Sequence, residues 1–465
     1  MALPLSTPPA IGFLLPGEQS PLRFRHISAD WTVLLDPETA FWALAHRNGR
    51  EEENLLQQAL PLFEKQRQSL KAEMTRFREK IDLSAVYINA TDRCNANCSY
   101  CYIPEEDRQN GINMDVTDLR AALTKIEEYH KKTCLEKNRQ PVIVFHGSEP
   151  MIVKDNLFKV IEEFSGRMRF GIQTNATLLE EEDVRFLMEN RVSVGISLDS
   201  SSREKNRLAR EGNKDSYRCA VKALEWFNGY PGLSVICTIT RHNVNELAET
   251  LKFLHYHNVK AVLMNPVRCT AQGTEELRPG NGELFRGFTE AVKTSLDLNK
   301  TTGRKIIISD FANIILTIIA PTARRLMCDI TPCGGARRFF TVMSDMSATP
   351  CGEFIGLKEF RTHNLKNDSV EEILDSPAFK LVRERVVENI EECRECLYRN
   401  LCGAPCPAEV YSQTGKLNNP SPYCEYYQKL IDFAFELIAE GEVKHLLRQE
   451  MLNGMQPIYD IAPAA

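Results

Sequence analysis

One short stretch constrains this chain more than any other. In Ala90-Thr-Asp-Arg-Cys-Asn-Ala-Asn-Cys-Ser-Tyr-Cys-Tyr102, residues Cys94, Cys98 and Cys101 form a C-x3-C-x2-C array, with Tyr100 directly before the last cysteine. Three thiolates this close suit one cubane iron–sulfur cluster with one iron left free of protein, whereas four-cysteine sets close a cluster completely. A free iron is a binding site for a small molecule. The competing reading is a zinc knuckle, but zinc sites use four ligands, usually as paired C-x2-C units, and no fourth Cys or His lies close by.

The rest of the sequence must house that site. At 465 residues the chain has room for roughly two to four domains with sizeable cores. Apolar residues at 43% and charged residues at 26% are ordinary for a soluble globular protein. A formal net charge of -6 gives no global pull toward nucleic acid or an anionic membrane, so neither is expected as a partner. The start, Met-Ala-Leu-Pro-Leu-Ser-Thr-Pro-Pro, lacks a basic region, and prolines break its apolar run, so it reads as a poor signal peptide. No apolar run of about 18 residues predicts a membrane span. Fifteen cysteines in a chain without an export signal point to metal or redox chemistry in a reducing cytoplasm rather than to a disulfide framework.

In order along the chain, residues 1–22 are rich in Pro, Ser and Gly and predict an extended lead-in. Phe24–Ile27, Trp31–Leu35 and Ala40–Leu44 are short β-type runs, the last two separated by the turn-like Asp36-Pro37. Leu55, Leu56, Ala59, Leu62, Phe63, Leu70, Met74 and Phe77 recur near helical spacing and predict a helix over Glu51–Lys80. From Ser84 the pattern alternates. Candidate strands are Ala85–Asn89, Val142–Phe145, Phe170–Thr174, Ser193–Ser197, Leu233–Ile239 and Ala261–Asn265, with helical stretches such as Leu119–Tyr129, Glu181–Asn190, Tyr217–Phe227 and Val244–His257 between them. Several strands are nearly continuous apolar runs, as parallel strands buried on both faces require. The alternation implies a right-handed parallel α/β architecture.

The spacing at Cys94, Cys98 and Cys101, with an aromatic before the third cysteine, resembles the radical S-adenosylmethionine (radical SAM) superfamily, in which the free iron chelates the amino and carboxylate groups of SAM. The resemblance implies a partial (β/α)6 TIM-like barrel over 83–322, with the cysteine loop after the first strand, at the carboxyl end where such folds keep their chemistry. Phe145-His-Gly-Ser-Glu-Pro150, directly after the second strand, resembles the family's Gly-Gly-Glu-Pro motif, with Ser148 in place of the second glycine. That likeness implies that Gly147, Ser148 and Glu149 meet the SAM amino group; an ammonium needs acceptors, and Gly147 lets the backbone approach. It also implies Ser197 against the SAM carboxylate or ribose, Arg210 paired with the carboxylate, and Tyr100 against the adenine. Arg210 reads equally as a solvated residue of Arg207-Leu-Ala-Arg-Glu211. Gln173 and Asn175 are expected to line the cavity, with His146 packed beside it.

After about residue 300 the rhythm fades. The pattern Cys328-x4-Cys333-x17-Cys351, then Cys393-x2-Cys396-x5-Cys402-x3-Cys406-x17-Cys424, resembles the SPASM extension, which carries two auxiliary [4Fe–4S] clusters. By that pattern Cys328, Cys333, Cys351 and Cys406 hold the first and Cys393, Cys396, Cys402 and Cys424 the second. Met346 stands where the family usually has a glycine. Two four-cysteine zinc sites are the alternative. The remaining Cys134, Cys219, Cys237 and Cys269 read as small apolar residues. The expected divisions are an N-terminal unit at 1–82, the barrel at 83–322, the SPASM domain at 323–430, and a closing amphipathic helix with a frayed tail at 431–465. The N-terminal unit, strands followed by a helix, looks like the winged-helix elements that bind leader peptides by adding them to a strand edge; a cap packed on the catalytic domain is the equal alternative.

These resemblances imply a SAM-cleaving enzyme that takes a hydrogen atom from a ribosomally made peptide or protein. The implied partners are a short peptide encoded nearby and a flavodoxin- or ferredoxin-type reductant. Tyr102-Ile-Pro-Glu-Glu, Asn265-Pro-Val-Arg-Cys-Thr270, Leu326-Met-Cys-Asp-Ile330 and Cys351-Gly-Glu-Phe-Ile-Gly356 are similar to the presumed peptide-modifying enzymes called CbpB, a likeness that implies a short partner peptide but not the bond formed; a thioether or related crosslink is the expected outcome. Anaerobic sulfatase maturases, which make formylglycine, carry an Asp directly after the Cys351 position. Here Gly352 follows, and only Glu353 could serve instead. A non-catalytic electron carrier or a zinc-stabilised peptide scaffold is the alternative of a different class.

Overall fold

The computed structural model describes residues 21–47, 50–134, 139–206, 215–271, 273–324 and 327–448; the expected lead-in at 1–20 and tail at 456–465 lie outside them. The N-terminal unit begins with β1 (Arg23–His26), β2 (Trp31–Leu35) and β3 (Trp42–His46), an antiparallel sheet in chain order. The turn after β2 is fixed by Asp36, whose carboxylate accepts from the Thr39 amide at 3.0 Å and the Thr39 hydroxyl at 2.6 Å. One long helix, Arg50–Glu79, follows. Its periodic apolar residues divide between two cores. Ala59 and Phe63 pack with Leu22 and Leu34 inside the unit, while Met74 and Phe77 join the main core of the molecule.

The main core is built on a sheet of ten strands. Strands β4 (Ala85–Ile88), β5 (Val142–Phe145), β6 (Arg169–Thr174), β7 (Ser193–Ser197), β8 (Leu233–Ile239) and β9 (Ala261–Pro266) are parallel and adjacent in chain order. Every residue of β5 and β7 is buried, and β5, Val-Ile-Val-Phe, reads as the unbroken apolar run that burial on both faces favours. The strands lie within a residue or two of the segments expected from sequence. Helices Val116–Thr133, Lys154–Phe164, Glu181–Glu189, Ser216–Phe227 and Leu247–Tyr256 fill the successive crossovers. The first of them is capped by Asp115, whose side chain accepts from the amides of Thr117 and Asp118 at 2.7 and 2.8 Å.

The sheet does not stop at six strands. β10 (Ile307–Ile308) adds in parallel beside β9, and β11 (Phe339–Val342) adds in parallel beside β4. β12 (Ser347–Thr349) and β13 (Thr362–Asn364) then continue it antiparallel. The cysteine-rich region is therefore hydrogen-bonded into the barrel sheet through Phe339–Val342. That run lies beyond the strand–helix alternation that marks the other parallel strands in the sequence.

The N-terminal unit is bolted to the C-terminal half. Arg25 forms a bidentate pair with Asp432 at 2.8 and 2.6 Å, and Arg78 another with Glu388 at 2.9 and 2.7 Å. The buried Asn400 amide donates to the Pro37 and Glu38 carbonyls. Among the described residues no helix is long and apolar enough to cross a membrane.

Candidate active site

The loop after β4 carries Cys94, Cys98 and Cys101, and local bonds hold it. The Cys94 amide donates to the Arg108 carbonyl at 2.9 Å, the Asp92 amide to Ile112 at 3.0 Å, and the Met114 amide to Ala90 at 2.9 Å. Arg108 is buried and threads back into the loop, donating to the carbonyls of Ile103 (3.0 Å) and Ala96 (3.3 Å) and to the Asn97 side chain (2.7 Å). Sequence reasoning missed Arg108. It sits among Glu105, Glu106 and Asp107, where an arginine looks like one more surface charge.

The next strand end closes over that loop. Gly147 has φ 115°, and a Cβ there would lie 2.1 Å from the Asn89 Oδ1, so the position requires glycine. That same oxygen accepts from the Ser148 amide at 3.1 Å, while the Ser148 hydroxyl donates to the Asp92 carbonyl at 2.6 Å. The serine thus ties its turn to the cysteine loop, a bond a glycine could not make. Glu149 is buried and joins three segments. Its carboxylate accepts from the Thr174 hydroxyl at 2.6 Å, the Asn175 amide at 2.8 Å and the Met151 amide at 3.1 Å, and its own amide donates to Arg93 at 3.2 Å.

Tyr100 donates its hydroxyl to Asp199, the buried residue two past the end of β7, which also accepts from the Thr238 amide at 2.9 Å. Ser197 ends β7, nearly buried, and faces the same hollow as Gln173 and Asn175. Arg210 lies outside the described residues. Cys237 and Cys269 are buried, and Cys134 and Cys219 are half-buried.

These strand ends surround a cavity of about 330 Å³ that is lined by Cys94, Cys98 and Cys101 on one side and by Cys328, Cys333, Cys351 and Cys406 on the other. A chamber of about 200 Å³ continues from it, sharing Tyr102, His146, Arg268, Cys351 and Glu353. Larger hollows of about 510 and 560 Å³ elsewhere are lined by no cysteine. Cys351 is within electrostatic reach of Cys328, Cys333 and Cys406, whereas Cys393 is within reach of Cys396 and Cys424, and Cys402 of Cys424 and Cys396. The fold therefore sorts the eight C-terminal cysteines into two groups of four, and the second group stands away from the cavity lining. Cys328 is exposed by surface area because its thiol opens into the hollow.

Burial controls the chemistry here. It pushes the thiols of Cys94, Cys393 and Cys406 up to about 12, and raises those of Cys351 and Cys402 as well. Metal loading must displace those protons. Burial also lowers His146 to about 4 and raises Glu353 and Asp310 to about 7. The buried Tyr102 Oη, His146 Nδ1 and Glu353 Oε2 have no hydrogen-bond partner among the described residues, which marks a chamber suited to something polar. Beside them Arg268 donates to Glu409 at 3.4 Å and to the Tyr427 hydroxyl at 3.0 Å.

The donor set fits iron–sulfur clusters. All eleven of these cysteines are free thiols. Amide hydrogens approach the sulfurs of Cys94 (from Ala96) and Cys333 (from Gly335) at 3.4 Å, a contact that favours thiolate. Among the described residues no three His, Cys, Asp or Glu side chains converge tightly enough for one metal ion. A single zinc draws its thiolates to about 2.3 Å; a cubane core holds them further apart around a larger body.

Residues 88–254 match the radical SAM superfamily model, and residues 333–397 match the SPASM iron–sulfur cluster-binding domain. The chain belongs to the radical SAM superfamily. It is an enzyme, and its cofactors are [4Fe–4S] clusters, auxiliary ones included, together with SAM. The SPASM match begins after Cys328 and ends before Cys402, Cys406 and Cys424. An uncharacterized protein of Archaeoglobus fulgidus is 43% identical over 92% of this chain and 97% of its own length. A cysteine-type anaerobic sulfatase-maturating enzyme of Clostridium perfringens is 24% identical over 76% of this radical SAM chain and 96% of its own. The solved structure of native anSMEcpe with bound AdoMet and Cp18Cys peptide shares the fold, with a TM-score of 0.65 and 20% identity over 77% of this chain and 99% of that one.

Proposed function

We propose that this radical SAM enzyme modifies a ribosomally made peptide, abstracting a hydrogen atom from a C–H bond and producing a thioether or related crosslink; the likeness to the CbpB group supports the peptide substrate. The observation that carries the reading is the single cavity lined by both Cys94, Cys98 and Cys101 and the quartet Cys328, Cys333, Cys351 and Cys406. A substrate held there lies between the two cysteine sets.

In this reading Cys94, Cys98 and Cys101 hold an open cubane, which when bound reduces SAM to methionine and a 5′-deoxyadenosyl radical. Gly147, Ser148 and Glu149 shape the wall where the SAM amino group sits. Ser197 and Tyr100 meet its other parts, with Tyr100 oriented by Asp199. Arg210 is assigned to the SAM carboxylate. Cys328, Cys333, Cys351 and Cys406, with Cys393, Cys396, Cys402 and Cys424 behind them, would hold the auxiliary clusters, which would supply an acceptor for the electron the substrate gives up. The N-terminal unit at 1–82 serves as the leader-peptide dock, and a flavodoxin- or ferredoxin-type protein supplies the electron.

A second reading, formylglycine formation, is favoured by one observation. Glu353 projects a buried, unpartnered Oε2 into the chamber two residues after Cys351, where it can take a proton. The test for both is anaerobic mass spectrometry of the reconstituted protein with SAM, reductant and a short peptide encoded beside it. Loss of two hydrogens with no fragment ions inside a ring is the expected result. Conversion of a single Cys or Ser without a ring would establish formylglycine instead, and an absence of 5′-deoxyadenosine from fully iron-loaded protein would overturn both.

A further inference from the structure

Cys402 and Cys406 are neighbours in sequence but fall into different groups of four. Between them runs a short strap, Cys402-Gly-Ala-Pro-Cys406, that bends through left-handed conformations at Gly403 (φ 68°) and Ala404 (φ 50°). A Cβ on Gly403 would lie 2.6 Å from the backbone of Ile330, so the strap is pressed against the segment between Cys328 and Cys333. One side chain holds it there. Arg385 is 3% exposed and donates to the Ala404 carbonyl at 2.9 Å, the Leu417 carbonyl at 2.6 Å and the Asn419 carbonyl at 3.0 Å. A single guanidinium thus fixes the middle of the strap and the loop that leads to Cys424.

The charge of Arg385 has no ordinary partner. Its acceptors are all carbonyls, and among the described residues no carboxylate pairs with it. A buried guanidinium without a counter-ion is costly. The groups in electrostatic reach are Cys333 and Cys406 of one quartet and Cys393 and Cys402 of the other. Arg337 lies near Cys333 of the first quartet, and Arg324 near Cys402 of the second. Arg385 faces both quartets.

We propose that Arg385 is a positioning residue shared by the two auxiliary sites: it clamps the strap that joins them, and its fixed positive charge holds both auxiliary reduction potentials up. A cluster with four thiolates is anionic and gains negative charge on reduction, so a nearby cation favours the reduced form. With one charge acting on both clusters, the two potentials move together and the electron route between them stays level. The proposal rests on the assignment of the eight cysteines to two clusters.

The test uses the full chain with Cys94, Cys98 and Cys101 changed to Ala, so that only auxiliary signals remain, and follows them by EPR during potentiometric titration. Arg385→Met should shift both auxiliary midpoints to more negative potential. Arg385→Lys, which keeps the charge but cannot reach three carbonyls, should leave the midpoints near those of the parent while lowering Tm. Where Arg385→Met does not load iron, Arg385→Lys decides: parent-like midpoints support the charge, and shifted midpoints overturn it. Unmoved midpoints in iron-loaded Arg385→Met, or movement of one cluster alone, overturn the shared role while leaving the clusters assigned. A parent protein without auxiliary iron removes the cluster assignment itself, and the proposal falls with it.

Discussion

The front cysteine loop and the C-terminal cysteine region solve the same problem in opposite ways. Cys94, Cys98 and Cys101 sit on one short loop, braced by backbone bonds between Ala90 and Met114 and tied to the neighbouring strand ends through Ser148, Glu149 and Asp199. The eight C-terminal cysteines spread from Cys328 to Cys424 and are gathered by distant contacts. Cys406, embedded in sequence among the second quartet, belongs in space with Cys328, Cys333 and Cys351. Cysteines that share one loop can be read from spacing, even where other strand ends brace that loop. An interleaved site depends on the surrounding fold, including the β11 pairing that fastens it to β4.

Substitutions break that comparison in a graded way. Cys94→Ala should abolish 5′-deoxyadenosine formation while auxiliary iron remains, measured by product chromatography and iron content; normal turnover would sink the front assignment. Cys402→Ala and Cys406→Ala, close in sequence, should remove different clusters and leave SAM cleavage in place, with the two losses told apart by EPR. An identical spectrum from both variants would contradict the sorting into two quartets. Arg108→Met removes three hydrogen bonds from the front loop and should cost about 3 kcal/mol of stability. It should lower front-cluster occupancy without touching the auxiliary signals, a selective loss that iron analysis with EPR can read.

The smallest expected effect is a pH dependence. Burial raises the Asp310 carboxyl to about 7 in the folded chain, above its ordinary 3.8. Between those values the native state binds the proton that the unfolded chain releases, so this group's contribution to stability falls as pH rises toward 7. Asp310→Asn should remove that slope. The Tm of wild type minus that of the variant should therefore increase as pH is lowered from about 7 toward 4, and a difference independent of pH would contradict the burial argument.

Much of this molecule was legible from its residues, and the reasons differ by element. The six barrel strands announced themselves because burial on both faces favours nearly continuous apolar runs, as in Val142–Phe145, and because helical stretches alternate with them. Gly147 was legible because a close approach leaves no alternative residue. The arginines were not. Arg108 and Arg385 work by donating to backbone carbonyls, and carbonyls leave no trace in a sequence. Asp199 was hidden for a similar reason, since its partner Tyr100 lies on another loop. The strands β10, β12 and β13 are two or three residues long, below the length at which periodicity can be read, and four-residue β11 lies outside the strand–helix alternation that marks β4 to β9. The docking of the N-terminal unit through Arg25 and Arg78 depends on Asp432 and Glu388, hundreds of residues away.

The central claim is that a peptide C–H bond reacts in the cavity between the two cysteine sets. Its most direct test uses the peptide encoded beside this enzyme, prepared with deuterium on its carbon-bound positions, in an anaerobic reaction with SAM and reductant. Mass spectrometry of the 5′-deoxyadenosine should show one deuterium acquired from the peptide. 5′-Deoxyadenosine that forms while the peptide is modified, yet carries no deuterium, would contradict the account.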